Sequence, residues 1–107
     1  MEKQHGNANA NEADHHLYEI YDQGRDDTYK YGICGDPLNP DGSSPRANIQ
    51  VRDHNQAFGW KRFIDKILEM CIPGRLVAKR IEDEYIDAYQ QKHGQRPAGN
   101  PKRGKKK

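Results

Sequence analysis

The sequence has little with which to build a large protein. It holds two cysteines, one tryptophan and two phenylalanines in 107 residues, and only 33% of it is hydrophobic against 32% charged, with a mean hydropathy of −1.24. That allows one small core and excludes a multidomain enzyme. No apolar run approaches the roughly 18 to 20 residues that cross a bilayer, so no membrane partner is expected and the chain reads as soluble. MEKQHGNANANEADHH, the opening stretch, lacks a hydrophobic signal core. Cys34 and Cys71 lie far apart, and neither belongs to a Cys-x-x-Cys pair. A zinc knuckle and a secreted disulfide framework are therefore excluded, and two buried thiols are expected. There is no Gly-rich phosphate loop and no internal repeat.

Charge is unevenly spread. All 16 acidic residues precede Lys92, where 11 basic ones leave the body at −5, while the seven basic residues from Lys92 onward make the end +7. KHGQRPAGNPKRGKKK is thus an electrostatic footprint for nucleic acid or another polyanion, or else a solubilising tail.

Residues 1–14 show no periodicity and read as a flexible leader or the cut end of a longer polypeptide; 15–100 form the domain, and 101–107 the basic tail. HHLYEIYD, the turn-forming QGRDD and TYKYGICG predict a hairpin. Alternation puts Tyr18 and Ile20 on one face of the first strand, and Lys30, Gly32 and Cys34 on one face of the second. Ser43-Ser44-Pro45 is a serine cap with proline at the first helical position, so a helix starts there. Ala47, Val51 and His54 share its inner face, and Arg46 and Gln50 share another. It fades near Ala57 to Gly59, and a short helical turn is expected around Trp60 to Ile64.

KILEMCI suits a third strand, although helix is also open, with Ile67, Glu69 and Cys71 on one face and Leu68, Met70 and Ile72 on the other. After Pro73-Gly74 comes the longest helix, striped by Val77, Ile81, Tyr85 and Ala88 and ended by Gly94. The order strand, strand, helix, strand, helix predicts an α/β chain of the α+β kind: a small three-stranded antiparallel sheet flanked by helices.

Four polar residues strain a purely structural account. Tyr18 and Lys30 lie on paired strands and can face one side, though cross-strand packing would explain them equally. Arg46 occupies the first helical turn, where free N–H groups already favour an anion. Glu82 has Ala78, Tyr85, Ile86 and Tyr89 as helical neighbours, so its carboxylate borders an apolar face and must find a cation, a metal or a donor there or lose its charge, unless it snorkels past Arg75 or Lys79. A tyrosine, a lysine, an arginine and a carboxylate converging on one face could hydrolyse a phosphodiester.

Here the residues resemble the GIY-YIG nuclease superfamily, in particular the compact C-terminal toxin domains of bacterial polymorphic toxins of the contact-dependent or Rhs-like kind. The resemblance runs from about His15 to Asn100. HLYEI is similar to the Gly-Ile-Tyr strand, with His16 and Leu17 replacing Gly-Ile and Tyr18 matching the tyrosine. KYG resembles Tyr-Ile-Gly, with Lys30 at the tyrosine position, a lysine also found in some restriction-enzyme members, and Gly32 at the glycine. SSPRANIQVRDHN resembles the arginine helix, AKRIEDEYI the glutamate helix, and HGQRPAGNP the closing segment with its asparagine, Asn100.

The resemblance implies a Mg²⁺- or Mn²⁺-dependent endonuclease toxin that cleaves nucleic acid without a covalent intermediate. Tyr18 would be general base or relay, its pKa lowered by nearby positive charge that Lys30 helps to supply. Arg46 would bind the scissile phosphate, and Glu82 would hold the divalent ion. Tyr29, Tyr31 and His54 are left open as contributors. Arg52, Lys61 and Arg62 either track the nucleic-acid backbone or are simply solvated, and His15-His16 lack a further metal ligand at suitable spacing. DNA is favoured over RNA as substrate. The implied setting is delivery as part of a larger secreted or surface protein, action in the cytoplasm of a competitor bacterium, and neutralisation by a cognate immunity protein. A noncatalytic nucleic-acid-binding module, or a ribonuclease of the same fold, is the alternative.

Overall fold

The computed structural model describes residues 13–101. The first-strand pattern becomes β1 (Asp14–Asp22), which turns back through a four-residue link into β2 (Asp27–Cys34). The Asp22 carboxylate fixes that turn by accepting from the backbone N–H groups of Gly24 and Arg25. α1 (Pro45–Phe58) follows, then β3 (Phe63–Pro73) and α2 (Arg75–His93). The strands form one antiparallel sheet in the order β2-β1-β3, so the fold is the α+β arrangement the sequence predicts.

Placing β1 in the middle explains its unbroken burial from His15 to Ile20. On one face Tyr18, Ile20 and Cys34 pack with Phe63 and with Ala47 and Val51 of α1. On the other, Leu17, Ile33 and Ile72 pack with Ala78, Val77 and Ile81 of α2. The two helices therefore cover opposite faces of the sheet, and β1 has no solvent side. Burial of these side chains supplies about 1.5–3 kcal/mol each, which is how so polar a chain holds a core.

α1 starts where expected. Ser44 accepts from the Ala47 N–H at 3.2 Å, Pro45 follows the cap, and Gly59 closes the helix in the left-handed region at φ 76°. The expected helical turn at Trp60 to Ile64 is absent, because β3 already begins at Phe63. Asn55 brackets Phe63 with hydrogen bonds to its N–H (2.7 Å) and its carbonyl (3.0 Å), and the ring enters the core, which forces extended backbone there.

Alternation fails in two strands for the same reason. A bulge at Tyr29 sets both Tyr29 and Lys30 on the α1 face, and β3 slips register against β1 on either side of Leu17. The expected grouping of Glu69 with Ile67 is thereby overturned: Glu69 accepts from the Tyr85 hydroxyl at 2.9 Å on the α2 face, while Ile67 packs on the α1 face. Cys71 sits in the slipped segment at φ 58° and is exposed, so only Cys34 of the two thiols is buried. In α2 the expected stripe holds at Val77, Ile81 and Tyr85, which pack against the core, but fails at Ala88, which is exposed; Ala78, Glu82, Ile86 and Tyr89 are the buried residues beside it.

Gly32 has a steric role. A Cβ built there would lie 2.3 Å from Cζ of Tyr18, whose ring crosses the strand pair at that point. Alanine ordinarily improves a strand, yet Gly32→Ala should cost about 2–3 kcal/mol by overpacking. Urea unfolding of the two proteins would show this as a lower midpoint at unchanged slope.

Candidate active site

The face under α1 gathers three of the four polar residues singled out above, Tyr18, Lys30 and Arg46; Glu82, expected on the same face, stands on α2 across the sheet. Tyr18 pairs with Gly32, and Ile20 pairs with Lys30, so tyrosine and lysine stand on neighbouring strands and the same side. α1 brings Arg46 over them. One guanidinium nitrogen donates to the Ile33 carbonyl at 3.0 Å, which fixes the side chain by one of its donors and leaves others to meet an anion. The first turn of α1 has no acidic residue, so its positive end is uncompensated.

Glu82 belongs to α2, on the far side of the sheet, but its charge is felt at Lys30 and Tyr18. It holds the Lys30 ammonium towards its protonated form, against burial, which is the larger influence and lowers the Lys30 pKa, and against Arg46. Glu82 is 8% exposed, and its carboxylate accepts from Lys79 at 3.2 Å. Arg46 and Glu82 thus both act electrostatically on Lys30 and on Tyr18.

Tyr18 departs from expectation. It is 1% exposed, and burial pushes its pKa up to about 12; Arg46 and the hydrogen bond to Gln50 pull downward but lose. Its hydroxyl donates to Gln50 Oε1 at 3.3 Å. The anticipated lowering by positive charge is therefore reversed by desolvation, and Tyr18 stays protonated at neutral pH.

Two supporting residues escaped sequence reasoning, and a third was named by resemblance alone. Gln50 was placed beside Arg46 by helical spacing, but nothing in the sequence linked it to Tyr18. His16 hydrogen-bonds the cap residue Ser44 at 2.7 Å and so ties β1 to the start of the arginine helix. Asn100, assigned by resemblance, accepts from the Tyr31 N–H at 2.8 Å and donates to the Tyr31 carbonyl at 3.0 Å, acting as a one-residue strand on the β2 edge. Of the residues left open, Tyr29 lies on the α1 face with its hydroxyl 3.3 Å from His54. Tyr31 faces away, against Tyr85.

The expected backbone contacts divide. Arg52 and Lys61 are exposed, and Arg52 has only a loose partner in Asp53 at 3.6 Å. Arg62 is committed elsewhere. Two of its nitrogens donate to the two Asp22 oxygens at 2.7 and 2.9 Å, and its guanidinium lies 4.4 Å from the centre of the Phe58 ring. The adjacent histidines part company, with His15 bonded to the Ala13 carbonyl and His16 to Ser44.

No group of three or more His, Cys, Asp or Glu side chains that could hold a metal occurs among the described residues. Glu82 is one carboxylate, and one carboxylate completed by substrate phosphates and water is a common way of holding Mg²⁺. The donor chemistry fits that ion and not one that demands several protein ligands. No described helix is long and apolar enough to cross a membrane. Lys102–Lys107, which carry most of the basic tail, and the first 12 residues of the expected leader lie outside the described residues.

The fold and this cluster define a small α+β domain with two cationic side chains gathered beside a buried tyrosine. The family described as Tox-URI2, URI fold toxin 2, matches residues 8–94, and the chain belongs to it. It is a bacterial toxin domain. No curated protein and no solved structure matches the chain.

Arg62 can be tested as an internal partner. Its hydrogen bonds hold the Asp22 carboxyl below the usual carboxylate range. The lowered folded pKa contributes stability above the unfolded value, about 3.9, that is lost as pH falls through the folded one. Arg62→Ala should lower the neutral-pH melting temperature by on the order of 5 °C. The loss should shrink in thermal melts taken below pH 3.

Proposed function

We propose that this toxin domain is a nuclease that hydrolyses phosphodiester bonds of nucleic acid, DNA in preference to RNA. The observation that carries the reading is the convergence of Lys30 and Arg46 around the Tyr18 face, with the Glu82 charge acting on the same lysine. Arg46 would grip the scissile phosphate and stabilise charge growing on its oxygens. Glu82 would hold a Mg²⁺ or Mn²⁺ ion, which supplies charge neutralisation at the leaving oxygen.

Environment separates the two proton-handling groups. Burial disfavours the Lys30 ammonium and equally disfavours a Tyr18 phenolate. Tyr18 would therefore act with its proton on, as a hydrogen-bonding relay backed by Gln50, and Lys30 would place positive charge beside it. Exposed Arg52 and Lys61 would meet the polymer's backbone; Arg62 would support the fold. Delivery as part of a larger protein, action in the cytoplasm of a competitor cell and a cognate immunity protein fit membership of a toxin family.

Purified protein would be incubated with plasmid DNA and with total RNA, in Mg²⁺ or in EDTA. Metal-dependent cleavage is expected, reduced about 10²–10³-fold by either Arg46→Ala or Glu82→Gln. The polymer cleaved identifies the substrate. Folded protein that binds nucleic acid but cleaves neither polymer would replace this reading with a noncatalytic binding module.

A further inference from the structure

Beside the candidate active site lies a groove of about 480 Å³ that the proposed chemistry does not use. It runs between the second half of α1, the start of β2 and residues 95–98. None of Tyr18, Lys30, Arg46 or Glu82 lines it. The β2 bulge makes the two regions neighbours, since Tyr29 forms a groove wall and the next residue, Lys30, belongs to the cluster.

α1 connects them as well. Arg46, Gln50 and His54 recur every four residues on the helix, and His54 lines the groove. At 1.5 Å per residue Arg46 and His54 are roughly 12 Å apart along the axis. That separation is on the scale of one or two nucleotides of extended chain, so a base next to a phosphate held at Arg46 would arrive at the groove.

The lining suits an aromatic ring. The Tyr29 hydroxyl is tied to His54 and the Tyr89 hydroxyl donates to Asp27 at 2.8 Å, so both rings are held in place and do not collapse into the space. Asp53 on the rim is exposed and bound only loosely to Arg52, leaving its oxygens as acceptors. Arg96 spends its Nε on the Asn100 carbonyl and keeps its terminal nitrogens as donors. Among the bases, guanine offers adjacent N–H donors on one edge for a carboxylate and acceptors on another for a guanidinium.

We infer that the groove is a base-recognition subsite that takes an unpaired guanine from the nucleic acid held at Arg46. The inference rests on the nuclease reading for its purpose, but its test does not require cleavage. The four ribonucleoside 5′-monophosphates and dGMP would be titrated by calorimetry into full-length protein carrying Glu82→Gln. GMP should bind at least ten times more tightly than AMP, CMP or UMP. Asp53→Ala should erase that preference, and Ala57→Trp, which fills the groove from an exposed position, should abolish binding of all of them. Equal affinities, or no GMP binding up to millimolar concentration, would overturn the subsite. Comparing GMP with dGMP shows whether the guanine comes from RNA or from DNA. A GMP preference in a protein whose parent cleaves nothing would leave the subsite standing and remove the nuclease; cleavage without a preference would do the reverse.

Discussion

Everything in this domain is arranged around the passage of the Tyr18 ring across Gly32. That contact sets β1 against β2 at one register, because any side chain at residue 32 would collide with the ring. Register in turn decides which residues stand on the α1 face. Slipping β1 by one would send Tyr18 and Ile20 to the α2 side, away from Lys30, and put Leu17 and Glu19 in their place. The packing of a single aromatic ring thereby brings Tyr18 and Lys30 to one surface.

The second constraint is where α1 begins. Ser44 caps the helix and is hydrogen-bonded to His16, so Arg46 enters two residues after an anchored point. Burial, together with neighbouring His15 and Arg46, lowers the His16 pKa. A neutral imidazole keeps an acceptor nitrogen for the Ser44 hydroxyl, whereas a protonated one would set another positive charge beside Arg46. The arginine's own charge thus helps preserve the contact that positions its helix.

Much of this could be read from the residues. The strand and helix order, the Ser44-Pro45 helix start and the Gly94 stop follow from local chemistry that tertiary packing does not override. Bulges were not legible, because they arise from pairing between strands: nothing near Tyr29 says that it and Lys30 share a face, and nothing near Leu68 says that Glu69 turns toward Tyr85. Phe63 was read into a helical turn because its partner Asn55 lies eight residues earlier, in another element. In the site, the residue types and faces were legible, and the energetics were not. Tyr18 was expected to be acidified by nearby cations, but burial on both sides of β1 outweighs them.

The body carries a net negative charge, which looks unsuited to a polyanionic substrate until the pairing is followed. Asp22 is taken by Arg62, Glu19 by Lys66 and Glu82 by Lys79, while Asp27 and Glu69 accept tyrosine hydroxyls. Lys30 and Arg46 have no ion-pair partner among the described residues. Local potential follows the unpaired charges and the helix end more than the total, so the α1 face can be positive on an acidic domain. Asn100 fixes the chain to the outer edge of β2 at Tyr31, beside Lys30.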